Sequence, residues 1–323
     1  MLNILRRLKK TAIFREYTMI LALVALVIVG ALVSDRFLTV RNIMNVLKQY
    51  SVIGIVSLGV TFVTIAGTRD LAAGSLLSLT GALFVKMIPG LGDGGALIAA
   101  LLIGAAIGAF TGSIMAAIKA DIGDSFIITF GMLSVLSACA MLTTRGFTLK
   151  NEAASSTLFL GNGTLFGVVP MPVVIFFALT IALNVVLTKL RIGRQIYYLG
   201  TNREAARLVG IRVNLLRVFV YALSGLLTAF AGIILTCRTR SAMGNMGVDY
   251  EMDVLAAIAI GGVNLYGGGG SLWNTVLGVL IVAVLSNIFS MLGLGQEVQL
   301  MAKGVIIVLA VCIENIKQVR AGE

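Results

Sequence analysis

Long apolar runs, separated by short polar or glycine-rich breaks, repeat along nearly the whole chain. They fall at about 17–34, 51–67, 71–88, 95–118, 125–143, 168–188, 214–236, 252–265, 271–292 and 297–315. Most approach the roughly 20 apolar residues that carry an α-helix across a bilayer. The pattern predicts an all-α polytopic membrane protein with about ten transmembrane helices. Eight or nine crossings remain as alternatives: the run 252–265 is short, and only the charged pair Arg69 and Asp70 parts the second run from the third. A β-barrel would show short alternating strands instead.

Composition agrees with this class. Of 323 residues, 59% are hydrophobic and 12% charged, about half the charge of a soluble domain. The net charge of +11 does not point to nucleic acid, because the basic residues flank the apolar runs. They cluster at Arg6, Arg7, Lys9, Lys10 and Arg15, and again at Lys189, Arg191, Arg194, Arg203, Arg207, Arg212 and Arg217. That is the positive-inside bias of a membrane protein. Ten spans with a cytoplasmic N-terminus place 189–217, Lys317 and Arg320 inside and the polar stretch 144–166 outside. Arg238 and Arg240 then fall outside, against the rule. The expected organisation is a cytoplasmic segment 1–16, a transmembrane domain 17–315 with a cytoplasmic loop at about 189–213, and a tail 316–323. The first run is too long for a signal-peptide core and reads as a retained span.

Cys139, Cys237 and Cys312 have no paired spacing, which fits packing residues better than a disulfide or metal set. The chain has no histidine, so it lacks the commonest general base and metal ligand. No catalytic or metal site is expected, and a membrane enzyme is the remotest class. Pro89, Pro170 and Pro172 stand near span boundaries, and Pro172 suits a first helical turn. Gly104, Gly108 and Gly112 form a small-residue stripe of the kind that lets membrane helices approach closely.

Three stretches carry candidate chemistry. In 65–83, Arg69 and Asp70 leave almost no room for a loop, and Asp70 suits a cap on the next helix or a cavity-facing break. In 257–280, glycines and Asn264 interrupt an apolar run. No Lys-Ser or Lys-Thr follows them, so this is not an ATP-binding Walker loop; a close-packed re-entrant turn is the alternative. The third stretch, LGTNREAARLVGI at 199–211, has Thr201 and Glu204 at capping-box spacing and Gly210 as a helix stop. It predicts a helix of about eight residues from Asn202 to Val209, with Ala205, Leu208, Val209 and Arg212 on one face. Such a helix is too short to stand alone and must rest on the membrane domain, the bilayer surface or a partner.

The string EAARLVG, Glu204 to Gly210, resembles the EAA-x-x-x-G motif of importer permeases in ATP-binding-cassette transporters. Three blocks in order resemble the ribose/galactose-type sugar permeases: GTRDLAAGSLLSLTGAL (67–83), RIGRQIYYLGTNREAARLVGI (191–211) and LAAIAIGGVNLYGGGGSLWNTVLGVLI (255–281). The likeness runs from about residue 17 to 315. The first block departs from the family's GGIDLSVGS form at Thr68, Arg69, Ala72 and Ala73, which leaves the solute open.

The resemblance implies a permease subunit of an importer in the bacterial cytoplasmic (inner) membrane, moving a small polar solute, a monosaccharide, by alternating access. A second permease subunit, identical or related, would complete the pathway in the lipid bilayer. ATPase subunits would bind ATP and Mg on the cytoplasmic side, and a periplasmic or lipid-anchored binding protein would deliver solute. This chain itself would carry no cofactor and bind no nucleic acid. Thr201, Asn202, Glu204, Ala205, Ala206, Leu208 and Gly210 would form the ATPase-coupling element, with Arg203, Arg207 and Arg212 facing acidic patches on the partner. Asp70, Gly74, Ser75, Phe126, Phe130 and Asn264 are the candidate pathway residues. Nucleosides and branched-chain amino acids are alternative solutes. An ion-coupled secondary transporter is the rival class, opposed by the lack of clustered membrane carboxylates.

Overall fold

The computed structural model describes residues 19–305 and 308. Within them the chain is almost wholly helical. Helix α1 is Met19–Val33. Helix α2, Val40–Ile65, starts at Thr39, whose hydroxyl accepts the Asn42 N–H, and every residue from Tyr50 to Ile65 is buried. It is therefore a central helix, with α6, α9, α10 and α11 around it.

Helix α3, Ala73–Ala117, runs for 45 residues, about twice what a bilayer needs. It is really two arms. Pro89 removes a helical hydrogen bond, and Gly92 takes φ 66° and ψ 171°, a conformation open to glycine alone. Ala82, Phe84 and Val85 of the first arm then pack with Ala96 and Ala100 of the second, so the arms fold back on each other. The apolar runs 71–88 and 95–118 match these arms. Helix α4, Ile122–Thr144, carries a capping box made by Asp121 and Asp124, and it ends at Arg145 in left-handed backbone.

The polar stretch 144–166, expected as a connection between spans, is tied down by strand pairing and side-chain contacts. Strand β1, Leu149–Lys150, pairs antiparallel with β4, Ser241–Ala242; β2, Thr164–Leu165, pairs with β3, Val169–Pro170. Between them lies α5, Ser155–Asn162. Asn162 donates to the Cys237 carbonyl (2.7 Å) and accepts from Lys48 (2.9 Å), which anchors α5 to α9 and α2. Composition alone does not reveal such long-range partners.

Helix α6, Met171–Lys189, has Pro172 in its first turn, as expected. Two short helices follow, α7 (Arg191–Thr201) and α8 (Arg203–Leu208). Next come α9 (Val213–Thr239), α10 (Tyr250–Ile260), α11 (Leu272–Met291) and α12 (296–305). Six helices among the described residues are long and apolar enough to cross a membrane: α2, α3, α4, α6, α9 and α11. The expectation of about ten crossings is not met by these helices alone. The 11 residues of α10 rise about 16 Å, half a hydrocarbon core. Residues 306–307 and 309–315 of the run 297–315, with segments 1–16 and 316–323, lie outside the described residues.

Packing centres on α9, which lies against both arms of α3. A Cβ on Gly108 or Gly225 would strike the backbone of the facing helix, at Tyr221 and Gly104 respectively, and Gly112 packs on Val218 and Arg217. The first arm makes the same kind of contact through Gly81 and Gly232. Lipid supplies no hydrophobic drive between helices, so close backbone approach and dispersion hold them. Gly108→Ala should therefore destabilise the protein by about 1–3 kcal/mol through overpacking. Gly131→Ala, on α4 with nothing within 4 Å of its added Cβ, should not. Thermal unfolding of the two detergent-purified variants checks the pair.

Candidate functional site

The connection between α6 and α9 folds as two linked helices. In α7, Gly193, Ile196 and Leu199 point inward at helical spacing while Arg191, Arg194 and Tyr198 face out. Thr201 belongs to this helix: its hydroxyl donates to the Tyr197 carbonyl (2.9 Å). Asn202 is extended at φ −156°, and its side-chain oxygen accepts the Ala205 N–H (3.0 Å). The expected Thr201–Glu204 capping box is thus corrected. Asn202 is the cap, helix α8 spans six residues, and Glu204 stands exposed in its first turn. An asparagine caps at least as well as a threonine, and Thr201 is already spent on continuing α7.

The stop at Gly210 is as expected. With φ +81° it lets its N–H reach the Arg207 carbonyl (3.1 Å) and the Ile211 N–H reach the Ala206 carbonyl (3.1 Å), the Schellman arrangement. Ala206 is buried, whereas Leu208 is 88% and Val209 75% exposed. An apolar groove of about 500 Å³ lies beside them, lined by Tyr198, Thr201, Asn202, Ala205, Ala206 and Val209. Part of the apolar face of α8 therefore has no seat within the described residues of this chain.

Arginines at this end divide into two groups. Arg207 and Arg212 are exposed. Arg203, expected to face a partner, turns inward and donates to the Lys119 and Ala120 carbonyls. Arg217, 3% exposed, donates to Met115 (3.0 Å) and Ala120 (2.6 Å). The last carbonyls of a helix lack intrahelical partners and carry the negative end of its dipole. Two guanidinium groups therefore clamp the C-terminal end of α3 and fasten α8 to it.

The three sequence blocks meet beside this clamp, at a junction of glycines. The Gly268 N–H donates to the Ile65 carbonyl (2.8 Å) at the end of α2. A Cβ on Gly200 would strike Ile65 and Gly268, and one on Gly267 would strike Gly67. Gly267, Gly268 and Gly270 all have positive φ. Asn264 shapes the turn: its N–H donates to the Gly269 carbonyl (3.0 Å) and its side-chain oxygen accepts the Tyr266 N–H (2.9 Å). The Tyr197 hydroxyl donates to the Gly270 carbonyl (2.7 Å); burial raises its pKa, so it stays protonated. The glycine run is a packed turn that joins the ends of α2, α7 and α10.

The other candidate pathway residues lie on α3, on α4 and in the segment that joins α2 to α3. Asp70 is buried, accepting the Ser224 hydroxyl (2.9 Å) and the Ala72 N–H (3.1 Å). Next to it, the Tyr221 hydroxyl donates to the Arg69 carbonyl (2.6 Å), and the Arg69 N–H donates to Ser125 Oγ (3.0 Å). Gly74 packs against Gly247 and Glu251, and Ser75 is half-buried. Phe126 and Phe130 stack with centroids 6.5 Å apart but are 51% and 56% exposed on α4. The structure ties Asp70 to α9 and leaves the phenylalanines on the outer face of the bundle. Sequence reasoning missed Arg217, Tyr221 and Ser224, yet their signal was readable. They recur at i, i+4 and i+7, a polar stripe on an otherwise apolar helix. Among the described residues no three His, Cys, Asp or Glu side chains cluster to hold a metal.

Glycine-packed spanning helices and a basic end bearing a short exposed helix define a multi-pass membrane protein. The family described as branched-chain amino acid transport system / permease component matches residues 42–311. The ribose import permease protein of Escherichia coli K12 is 39% identical over 97% of this chain and 98% of its own. That of Bacillus subtilis 168 is 34% identical over 97% and 96%. The D-allose transport system permease protein of Escherichia coli K12 is 30% identical over 93% and 91%. No solved structure matches. The chain belongs to this family of transport permeases, and these relatives are sugar permeases.

The cap assignment is testable by hydrogen exchange. Asn202→Ala removes about 1 kcal/mol of N-cap stabilisation and should speed exchange at the Ala205 and Ala206 amides roughly fivefold. Thr201→Ala should leave those amides near wild-type rates.

Proposed function

We propose that this chain is the membrane-spanning permease subunit of an ATP-binding-cassette importer for a ribose-type monosaccharide. The observation that carries the coupling half of this reading is α8, a capped helix with Leu208 and Val209 bare at the basic end. Full-length kinship to ribose and allose permeases supports the solute class. The positive-inside rule turns the basic end toward the cytoplasm of a bacterial inner membrane.

In this mechanism the ATPase subunits bind ATP and Mg, and their closure moves α8. The groove beside Ala205 and Val209 receives part of the ATPase surface, while Arg207 and Arg212 meet acidic groups at its rim. Arg203 carries the movement to the end of α3. Through Gly200 and Thr201 it reaches Gly268, and with it the ends of α2 and α10. A short displacement at one surface point therefore tilts several helices together. Tightly packed elements move as bodies and switch between discrete arrangements. A second permease subunit, identical or related, would complete the pathway, and a solute-binding protein would deliver sugar at the opposite end. The description of the matched family favours a second reading, in which the solute is a branched-chain amino acid.

Vesicles containing the assembled complex with its ATPase and binding protein should accumulate labelled D-ribose only with internal ATP, and excess unlabelled leucine should not compete. Uptake by this chain alone under an ion gradient would point instead to a secondary transporter. Leu208→Asp and Gly210→Pro should each cut solute-stimulated ATP hydrolysis by roughly tenfold or more, as loss of an interface anchor does, while membrane insertion is unchanged. Wild-type hydrolysis in both would overturn the coupling assignment.

A further inference from the structure

A cavity of about 310 Å³ opens between α2, α10, α11 and α12, away from the glycine junction. Its wall is mostly polar. Gln49 and Tyr50 come from α2, Asp253 from α10, and Gln296, Gln299 and Lys303 from α12. Lys303 and Asp253 form an ion pair across it, their side chains only 13% and 11% exposed. Gln299 reaches Ser290 Oγ (3.4 Å) and the Leu294 carbonyl (3.3 Å), which holds the start of α12 against α11. Gln49 and Gln296 are exposed at the rim.

A charge pair within a membrane bundle is costly and normally faces a partner or a water-filled cavity. For stability alone, apolar packing of similar volume serves as well or better. The position of the pair is informative. From Gln49 to Ile65, α2 rises about 24 Å, so one rigid helix joins this cavity to the glycine junction. Asp253 lies in the first turn of α10, whose other end enters the glycine turn. Helix α10 thus begins at the polar cavity and α2 passes it partway along, and both end where the coupling helices are attached.

The wall suits a neutral polyhydroxylated molecule. Each hydroxyl of such a molecule donates and accepts at once, and the cavity supplies ammonium and amide donors beside carboxylate and amide acceptors. An apolar solute would desolvate these groups without pairing them. The volume is at the lower end for small-molecule sites, roughly 300–1,000 Å³.

We propose that this cavity is a solute subsite of the translocation pathway, in which Asp253 and Lys303 hydrogen-bond the hydroxyls of a neutral monosaccharide and Gln49 and Gln296 meet it at the rim. The assignment rests on the sugar-importer reading above. Its test compares uptake of D-ribose and 2-deoxy-D-ribose by the full reconstituted complex. One binding protein serves every variant, so a changed ratio between the two sugars arises in the permease. The double variant Asp253→Asn/Lys303→Gln removes both charges without leaving either unpaired. It should lower D-ribose uptake roughly tenfold, the effect of losing one charged ligand hydrogen bond, and shift the sugar ratio. If it fails to assemble by size-exclusion chromatography, Gln49→Ala and Gln296→Ala decide at the exposed rim, where the same shift in ratio is expected. Assembled variants with the wild-type rate and ratio would overturn the subsite while leaving the importer reading intact. A wild-type complex that transports no neutral monosaccharide would overturn both.

Discussion

Hydrocarbon offers no water to a broken helix, so each freed N–H and C=O must find its partner within the protein. This chain breaks its helices where its motifs lie, and the architecture follows from how each break is closed. The α2–α3 break is closed by Asp70, Ser224, Tyr221 and Ser125. The α10–α11 break is closed by Asn264 and by the Gly268 N–H on the Ile65 carbonyl. The end of α3 is closed by Arg203 and Arg217. Most of these closures join residues more than 50 positions apart in the chain, so they also assemble the bundle.

That requirement has a functional consequence. The partners that satisfy the breaks belong to the same segment that presents α8 at the surface. Arg203 and Gly200 lie on either side of the Asn202 cap, one bound to α3 and the other wedged between α2 and the glycine turn. The surface helix is thereby attached to three buried helix ends through short, stiff contacts. Because α2 and α10 extend from those ends to the polar cavity between Asp253 and Lys303, the two regions share rigid elements. Rigid secondary elements of this kind are one physical route by which coupling between distant sites is carried.

Legibility in the sequence varied with the range of the interaction. The arms of α3, the Pro172 start of α6 and the Gly210 stop were readable because each depends on local backbone preference. The helix at 203–208 was readable as an element, while its cap was misassigned: Thr201 and Asn202 both cap well, and only the extent of α7 chooses between them. Arg203 reads as a surface cation until the α3 terminus is placed beside it. The stacking of Phe126 on Phe130 was readable from their one-turn spacing, whereas their exposed position on α4 was set by the rotation of that helix. The run 252–265 read as a span, yet the helix within it is half the length of a crossing.

By itself the sequence determined the membrane class, the placement of the apolar runs, the basic end and the positions of the helix breaks. Those properties follow from hydropathy, from charge and from the backbone freedom of glycine and proline, all of which act over a few residues. Tertiary structure alone decided which breaks share partners, which arginines turn inward and where polar side chains converge into a cavity. Those outcomes depend on helix rotation and on approach between segments remote in the chain, set by close packing that hydropathy does not encode.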